Sequence, residues 1–181
     1  MTFPMSIRIA SSRAKVGVVF ARRGIITDAV SSFFLPRLIG YSRALHLMTT
    51  GAVYPATDPL LKDLFTEVVE PGRVLPRALE VAEEVVGSTS MVSNKLIRDL
   101  VWRGPGDAES AHLLESRLLY DLFESKDNVE GIKSFMEKRK AKFEGTMRDD
   151  APEAWPWWTP SDIEGEEGKA LIMRSGVKSK I

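Results

Sequence analysis

Residues 22–40 read RRGIITDAVSSFFLPRLIG, and Asp28 is the one carboxylate among otherwise basic, apolar and hydroxylic side chains. Two kinds of chemistry suit a carboxylate in that setting. As a general base it works best partly desolvated, with a raised pKa, against apolar walls that Ile25, Ile26, Phe33 and Phe34 are placed to supply. As a helix cap, Thr27 or Asp28 would satisfy the first amides of a helix beginning near Ala29, where a carboxylate is favoured by ~0.3–1 kcal/mol. Spacing alone favours the cap, and the two roles do not exclude each other.

Few other groups in the chain invite chemistry. There is no cysteine, hence no disulfide, thiolate nucleophile or thiolate metal site, and two isolated histidines, His46 and His112, cannot build a histidine-rich one. Both read as packing or surface residues. Arg22, Arg23 and Arg37 could meet a phosphate, but arginines beside a turn are more often surface residues. Twenty-five basic residues balance twenty-five acidic ones, so nucleic acid is not an expected partner and any anionic ligand must be held by a local cluster.

The elements that position these groups follow from periodicity. The chain has 181 residues and is 44% hydrophobic, enough for a real core. Residues 7–10 (IRIA) and 15–20 (KVGVVF) read as strands at one end of a sheet. Helical spacing covers residues 29–39 and 41–50, with Gly40 and Gly51 where helices stop, and Pro36 is expected to kink or split the first. A short helix around Pro59 and a strand over residues 65–69 follow. Helices are then expected over residues 73–87, with Val74, Leu75, Leu79, Ala82 and Val86 on one face, then 91–102, 108–125 and 129–140. Leu113, Leu114, Leu118, Leu122 and Phe123 form the expected face of the third. Past Phe143 the period is lost, and Trp155, Trp157 and Trp158 are too apolar to float, so this stretch is expected to lie against the body or a neighbouring subunit. No segment suits a membrane span. The expected organisation is a partial core over residues 1–70, a helical region over 71–147 and an irregular tail over 148–181. The tail ends in Ser179, Lys180 and Ile181, which differ from the peroxisomal address Ser-Lys-Leu only in the branching of the last side chain.

The order of two strands, an Asp-bearing turn, FLPRLIGYSRALHLMTTG, FTEVVEPG and a terminal EGIKSFMEKRKAKF resembles the crotonase superfamily of enoyl-CoA hydratases and isomerases across roughly residues 1–147. In detail, VFARRGIITDAVSSFFLPRLIG and the PWW tail resemble a fungal peroxisomal subgroup, some of whose members serve secondary metabolism such as toxin biosynthesis. The resemblance implies the α/β crotonase-like fold, a spiral of ββα turns followed by helices that build trimers or hexamers. It also implies acyl-CoA substrates, coenzyme A as part of the substrate and no separate cofactor, a peroxisomal location and an import receptor as partner. The family stabilises a thioester enolate with paired backbone amides, each worth about 2.7–4 kcal/mol in the transition state.

Residue by residue, the resemblance favours isomerisation. Hydratases of the family carry a glutamate where this chain has Phe20, which cannot shuttle a proton, and their other glutamate falls upstream of Met1. The Δ3,Δ2-enoyl-CoA isomerases instead carry their acid in the turn matching ITDAVSS, which makes Asp28 the catalytic candidate and tips it from cap to base. Lys138 matches a lysine of the family's last helix that approaches coenzyme A. With Lys133, Arg139, Lys140 and Lys142 it forms a cluster suited to several phosphates, or else a solvated helix end with cations near the negative dipole terminus. Both oxyanion amides and the early spiral turns are expected upstream of Met1. Three readings result: a family homologue of weak or no activity, a noncatalytic subunit that joins full-length relatives, or a reading frame whose true start lies upstream.

Overall fold

The computed structural model describes residues 3–159, which form two compact units dividing between Thr89 and Ser90. The division falls later than the expected boundary at residue 70, because the helix after that boundary packs on the first strand. Ser179, Lys180 and Ile181 lie outside the described residues.

The first unit contains four short strands and three helices: β1 (Ile9–Ser11), β2 (Lys15–Gly17), α1 (Ser31–Ile39), α2 (Tyr41–Thr50), β3 (Val53–Pro55), β4 (Glu67–Val69) and α3 (Val74–Ser88). The first two strands do not share a sheet. β1 pairs in parallel with β4, setting Ala10 opposite Val68, whereas β2 pairs antiparallel with β3, setting Val16 opposite Tyr54. Gly17 lets that second ladder close, since a Cβ there would stand 2.7 Å from the Val53 side chain.

Apolar burial on α1 and α2 makes the core of this unit. Ser31, Leu35 and Ile39 recur every fourth residue and are buried, so one stripe of α1 faces Ala44 and Leu47 of α2 together with Leu61 and Leu64. Pro36 neither splits α1 nor ends it. It withholds a donor only from the carbonyl four residues back, that of exposed Ser32, which water can satisfy. Gly51 ends α2 in the left-handed region (φ 57°), where its N–H reaches the Leu47 carbonyl, and the Arg22 guanidinium donates to the Thr50 carbonyl at 2.7 Å. The short helix at Pro59 is a 3-10 turn capped by the Asp58 carboxylate, which accepts from the Leu60 N–H at 2.9 Å.

On α3 the expected face, all but Val74, is turned away from the unit. Leu75, Leu79 and Val86 are exposed, while Val74, Ala78, Val81 and Val85 take the half-buried side. Two adjacent stripes of this helix carry helical spacing, and Arg77, beside the second, pairs with Glu67 at the start of β4 (2.7 Å).

The second unit holds α4 (Met91–Arg103), α5 (Ala108–Leu122), α6 (Lys126–Met136) and an irregular run to Thr159. Each helix starts on a side-chain cap: Ser90 accepts from the Ser93 N–H, Asp107 from Ser110 and Ser125 from Asn128. Val92, Leu96 and Leu118 are its buried apolar residues, whereas Leu113 and Phe123 of the expected α5 face are exposed. The tryptophans do lie on the body: the Trp155 indole donates to Asp99 at 2.8 Å and that of Trp157 to the Arg103 carbonyl at 2.9 Å.

Truncating Leu47, which is fully buried, to alanine is expected to cost about 2–5 kcal/mol. Leu45, exposed on the same helix, should change stability by less than ~0.5 kcal/mol when cut to alanine. Urea denaturation of the two variants checks the contrast.

Candidate functional site

Asp28 precedes two consecutive non-glycine residues in the left-handed region, Ala29 (φ 54°) and Val30 (φ 58°). A β-branched side chain is crowded there, so such a turn stores roughly 1–3 kcal/mol per residue unless its surroundings hold it. Buried Ser31 does the holding. Its N–H donates to the Asp28 carbonyl at 3.2 Å, its hydroxyl donates to the same oxygen, and Thr27 Oγ1 lies 2.7 Å from Ser31 Oγ. The Val30 carbonyl then accepts from the N–H groups of both Phe33 and Phe34 at 3.1 Å.

α1 therefore begins at Ser31 and not near Ala29, and neither Thr27 nor Asp28 supplies a side-chain cap. The expected capping role is absent because main-chain carbonyls and hydroxyls already satisfy the turn. The Asp28 carboxylate is exposed and makes no hydrogen bond or ion pair among the described residues. Around it the expected walls face water: Ile25 is exposed, Ile26 is 89% exposed, and Phe33 is exposed where it meets Phe34 edge to face at 5.1 Å. The chemical composition of a carboxylate base and an apolar pocket is present, but the first unit does not enclose it. Whatever covers Ile26 and Phe33 would supply the desolvation that a base needs.

Two of the three arginines near this turn have structural tasks. Arg22 closes the end of α2, and Arg37 donates to the Phe33 carbonyl at 2.8 Å while stacking 3.7 Å above the Phe33 ring. His46 meets the Tyr54 hydroxyl at 2.8 Å, and His112 is an exposed residue of α5.

Lys138 lies beyond the last helix and not within it, a correction to the expected span of residues 129–140. α6 stops at Met136, the Arg139 N–H returns to the Ser134 carbonyl at 3.0 Å and the Lys138 N–H to Phe135 at 3.2 Å. This is the two-bond left-handed cap of a helix end, with Lys138 (φ 53°) where glycine is usual. The basic cluster is also less free than its sequence suggests. Arg139 pairs with Glu130 at 2.5 and 2.8 Å and with Glu137 at 2.6 Å, while the Lys142 N–H donates to Glu130 at 2.7 Å. Those donors hold the Glu130 carboxyl down at about 2. Lys138 itself is exposed.

Sequence reading missed two buried carboxylates of the second unit. Asp127, 8% exposed, accepts from Ser90 Oγ at 2.6 Å and from the Glu144 and Gly145 N–H groups at 3.0 and 2.9 Å. Asp99, 5% exposed, accepts from Lys95 and from the Trp155 indole. The cap signal at Ser125 places Asp127 in a first helical turn, but its other partners come from remote sequence. A cleft of about 560 Å³ opens beside Asp127 between α5 and α6, lined by Val92, Leu122, Ile132, Phe135 and Phe143.

Residues 2–146 match the family model Enoyl-CoA hydratase/isomerase. The enoyl-CoA hydratase AFT3-1 of Alternaria alternata is 56% identical over 154 residues, which are 84% of this chain and 52% of that protein. A probable enoyl-CoA hydratase of Rhizobium meliloti is 34% identical over 136 residues, 75% of this chain and 52% of its own. Among solved structures, a probable enoyl-CoA hydratase/isomerase from Mycobacterium abscessus aligns with a TM-score of 0.73 at 28% identity, over 78% of this chain and 56% of that one. The enoyl-CoA hydratase from Bacillus anthracis aligns with a TM-score of 0.72 at 29% identity, over 78% and 55%. The chain spans about half the length of the curated relatives it matches.

The pairing at the end of α6 makes a pH prediction. A carboxyl held near 2 in the fold, against its usual 4.5, contributes stability that is fully present above 4.5 and is lost as pH falls toward 2. Glu130→Gln should therefore lower stability at pH 6 and flatten its loss between pH 4.5 and 2, as followed by thermal melts across that range. At the cap, Lys138→Gly should raise the melting temperature, because glycine relieves the left-handed backbone.

Proposed function

Because this chain belongs to the enoyl-CoA hydratase/isomerase family and has its crotonase-like α/β fold, we propose that it acts on acyl-CoA thioesters and that its chemistry is double-bond isomerisation through Asp28. In that step the Asp28 carboxylate takes a proton from carbon two of a 3-enoyl thioester, the electron pair spreads onto the thioester oxygen, and the same proton is returned at carbon four. The double bond moves from carbons three and four to carbons two and three, and nothing is oxidised or reduced. One carboxylate suffices because it acts first as base and then as acid.

The observation that carries this reading is the state of Asp28: a carboxylate with no partner among the described residues, on a strained turn, flanked by exposed apolar side chains. The buried aspartates Asp99 and Asp127 hold donors, whereas exposed Asp28 holds none among the described residues. Phe20, in place of a second acid, supports isomerisation over water addition. The substrate brings its own coenzyme A, and exposed Lys138 is the residue we assign to meet it. The terminal Ser179, Lys180 and Ile181 support delivery to the peroxisome by its import receptor, in fatty-acid-type or toxin-like secondary metabolism.

A second reading rests on the apolar surface. Leu75, Leu79 and Val86 on α3 and Ile132, Phe135 and Met136 on α6 are exposed, which supports a noncatalytic acyl-CoA-binding or partner subunit that oligomerises with full-length relatives.

Conversion of a 3-enoyl-CoA by the purified chain, alone and mixed with a full-length relative, distinguishes the two. Isomerisation should raise the absorbance of the conjugated thioester, and Asp28→Asn should lower the rate by about 10²-fold or more with the fold unchanged. Full activity in the Asp28→Asn protein would remove the carboxylate from the mechanism. Co-elution with the relative, no turnover by the chain alone and no rate in the mixture beyond the relative's own would establish the second reading.

A further inference from the structure

Ser31 stands at the head of the buried stripe of α1, where an apolar side chain would be ordinary. It is 2% exposed, and Leu35 and Ile39 follow it into the core. A hydroxyl adds no apolar burial there, and once out of water it needs a partner. Nor does it cap the helix, because Val30 holds the cap position and no side chain bonds the first amides. What the hydroxyl serves is the main chain of Asp28, to whose carbonyl it donates alongside the Ser31 N–H at 3.2 Å.

A hydroxyl has one proton. With that of Ser31 given to the Asp28 carbonyl, the 2.7 Å contact with Thr27 is a donation from Thr27 Oγ1 to Ser31 Oγ. Two hydroxyls in series therefore tie the residue before Asp28 to the third residue after it. Between those ties lie Ala29 (φ 54°) and Val30 (φ 58°), a pair of positive angles that a mirror-image turn requires and that glycine or asparagine usually supplies. Neither side chain favours that state, and L residues prefer the turn with negative φ at both positions. Passing from one state to the other would change the direction of Asp28 relative to α1. We propose that Ser31 is a positioning residue for Asp28: its hydroxyl, backed by Thr27, holds the turn in the left-handed state and so aims the carboxylate. This role rests on Asp28 being the base, and Ser31 itself touches no reacting atom.

Steady-state turnover of a 3-enoyl-CoA by the full chain tests the role. Ser31→Ala should lower kcat about tenfold or more, with KM unchanged and helical circular dichroism intact. Thr27→Val, which removes only the donor to Ser31, should lower kcat by less. Val30→Gly relieves the left-handed backbone, so in that background Ser31→Ala should cost about threefold or less. In Asp28→Asn it should cost nothing further, since a residue that acts through the carboxylate has nothing left to aim. Leu35→Ala, on the same buried stripe without a tie to Asp28, should lower the melting temperature and leave kcat of the folded protein unchanged. Unchanged kcat in Ser31→Ala, or a loss as large in either background as in the unsubstituted chain, would overturn the positioning role and leave Asp28 in place. If Ser31→Ala loses its helical signal, unchanged kcat in Thr27→Val overturns the role equally. Full turnover in Asp28→Asn, or none in the unsubstituted chain, would remove Asp28 as the base and the role of Ser31 with it.

Discussion

A polar group taken out of water costs several kcal/mol unless the fold returns its hydrogen bonds, and a charged group costs more. Among the described residues no buried side-chain nitrogen or oxygen is left without a partner. That requirement organises both units. Asp127 cannot be buried at the start of α6 unless the chain beyond the helix comes back to offer two amides, and Asp99 cannot be buried on α4 unless Lys95 and an indole from far along the sequence converge on it. In the first unit, Arg8 plays the same part with opposite charge. Its guanidinium donates to the carbonyls of Leu64 and Met5, and burial pulls its pKa below the usual value.

Asp28 differs from these buried acids: its carboxylate is exposed and has no partner among the described residues. Its turn is held by Ser31 and Thr27 without help from the carboxylate, and two left-handed residues fix the direction in which the chain leaves it. The strain is met by hydroxyl and main-chain hydrogen bonds, so the acidic group is free for other work. A carboxylate in water is a weak base for a carbon acid, and its usefulness depends on surface that covers it. Ile25, Ile26 and Phe33 are apolar side chains of the kind such a cover would rest on.

The helices share this character of incomplete burial. Two stripes of α3 carry apolar residues at helical spacing, but a helix has only one side to give to a small sheet, and Val74, Ala78, Val81 and Val85 take it. Leu75, Leu79 and Val86 are left on the outside. α6 leaves Ile132, Phe135 and Met136 exposed in the same way, and Phe135 is 81% exposed. Apolar area of this extent is more than scattered surface residues require, and it fits chains whose fold is completed by further contacts.

Local chemistry was legible from the amino-acid order. Gly40 and Gly51 end helices, a short helix forms at Pro59, and the family was readable from the run of motifs around Asp28 and the terminal EGIKSFMEKR, because these depend on neighbours only a few residues apart. Sequence also singled out Asp28 and predicted that the tryptophans would lie down. Tertiary structure decided what depends on remote partners. It paired β1 with β4 and β2 with β3 in place of one another, turned α3 by one stripe, ended α6 at Met136 so that Lys138 became a left-handed cap, and buried Asp127 and Asp99. Periodicity tells which side chains share a face but carries no information about which face finds a neighbour. That is settled only when distant donors and acceptors meet and the cost of leaving water is balanced.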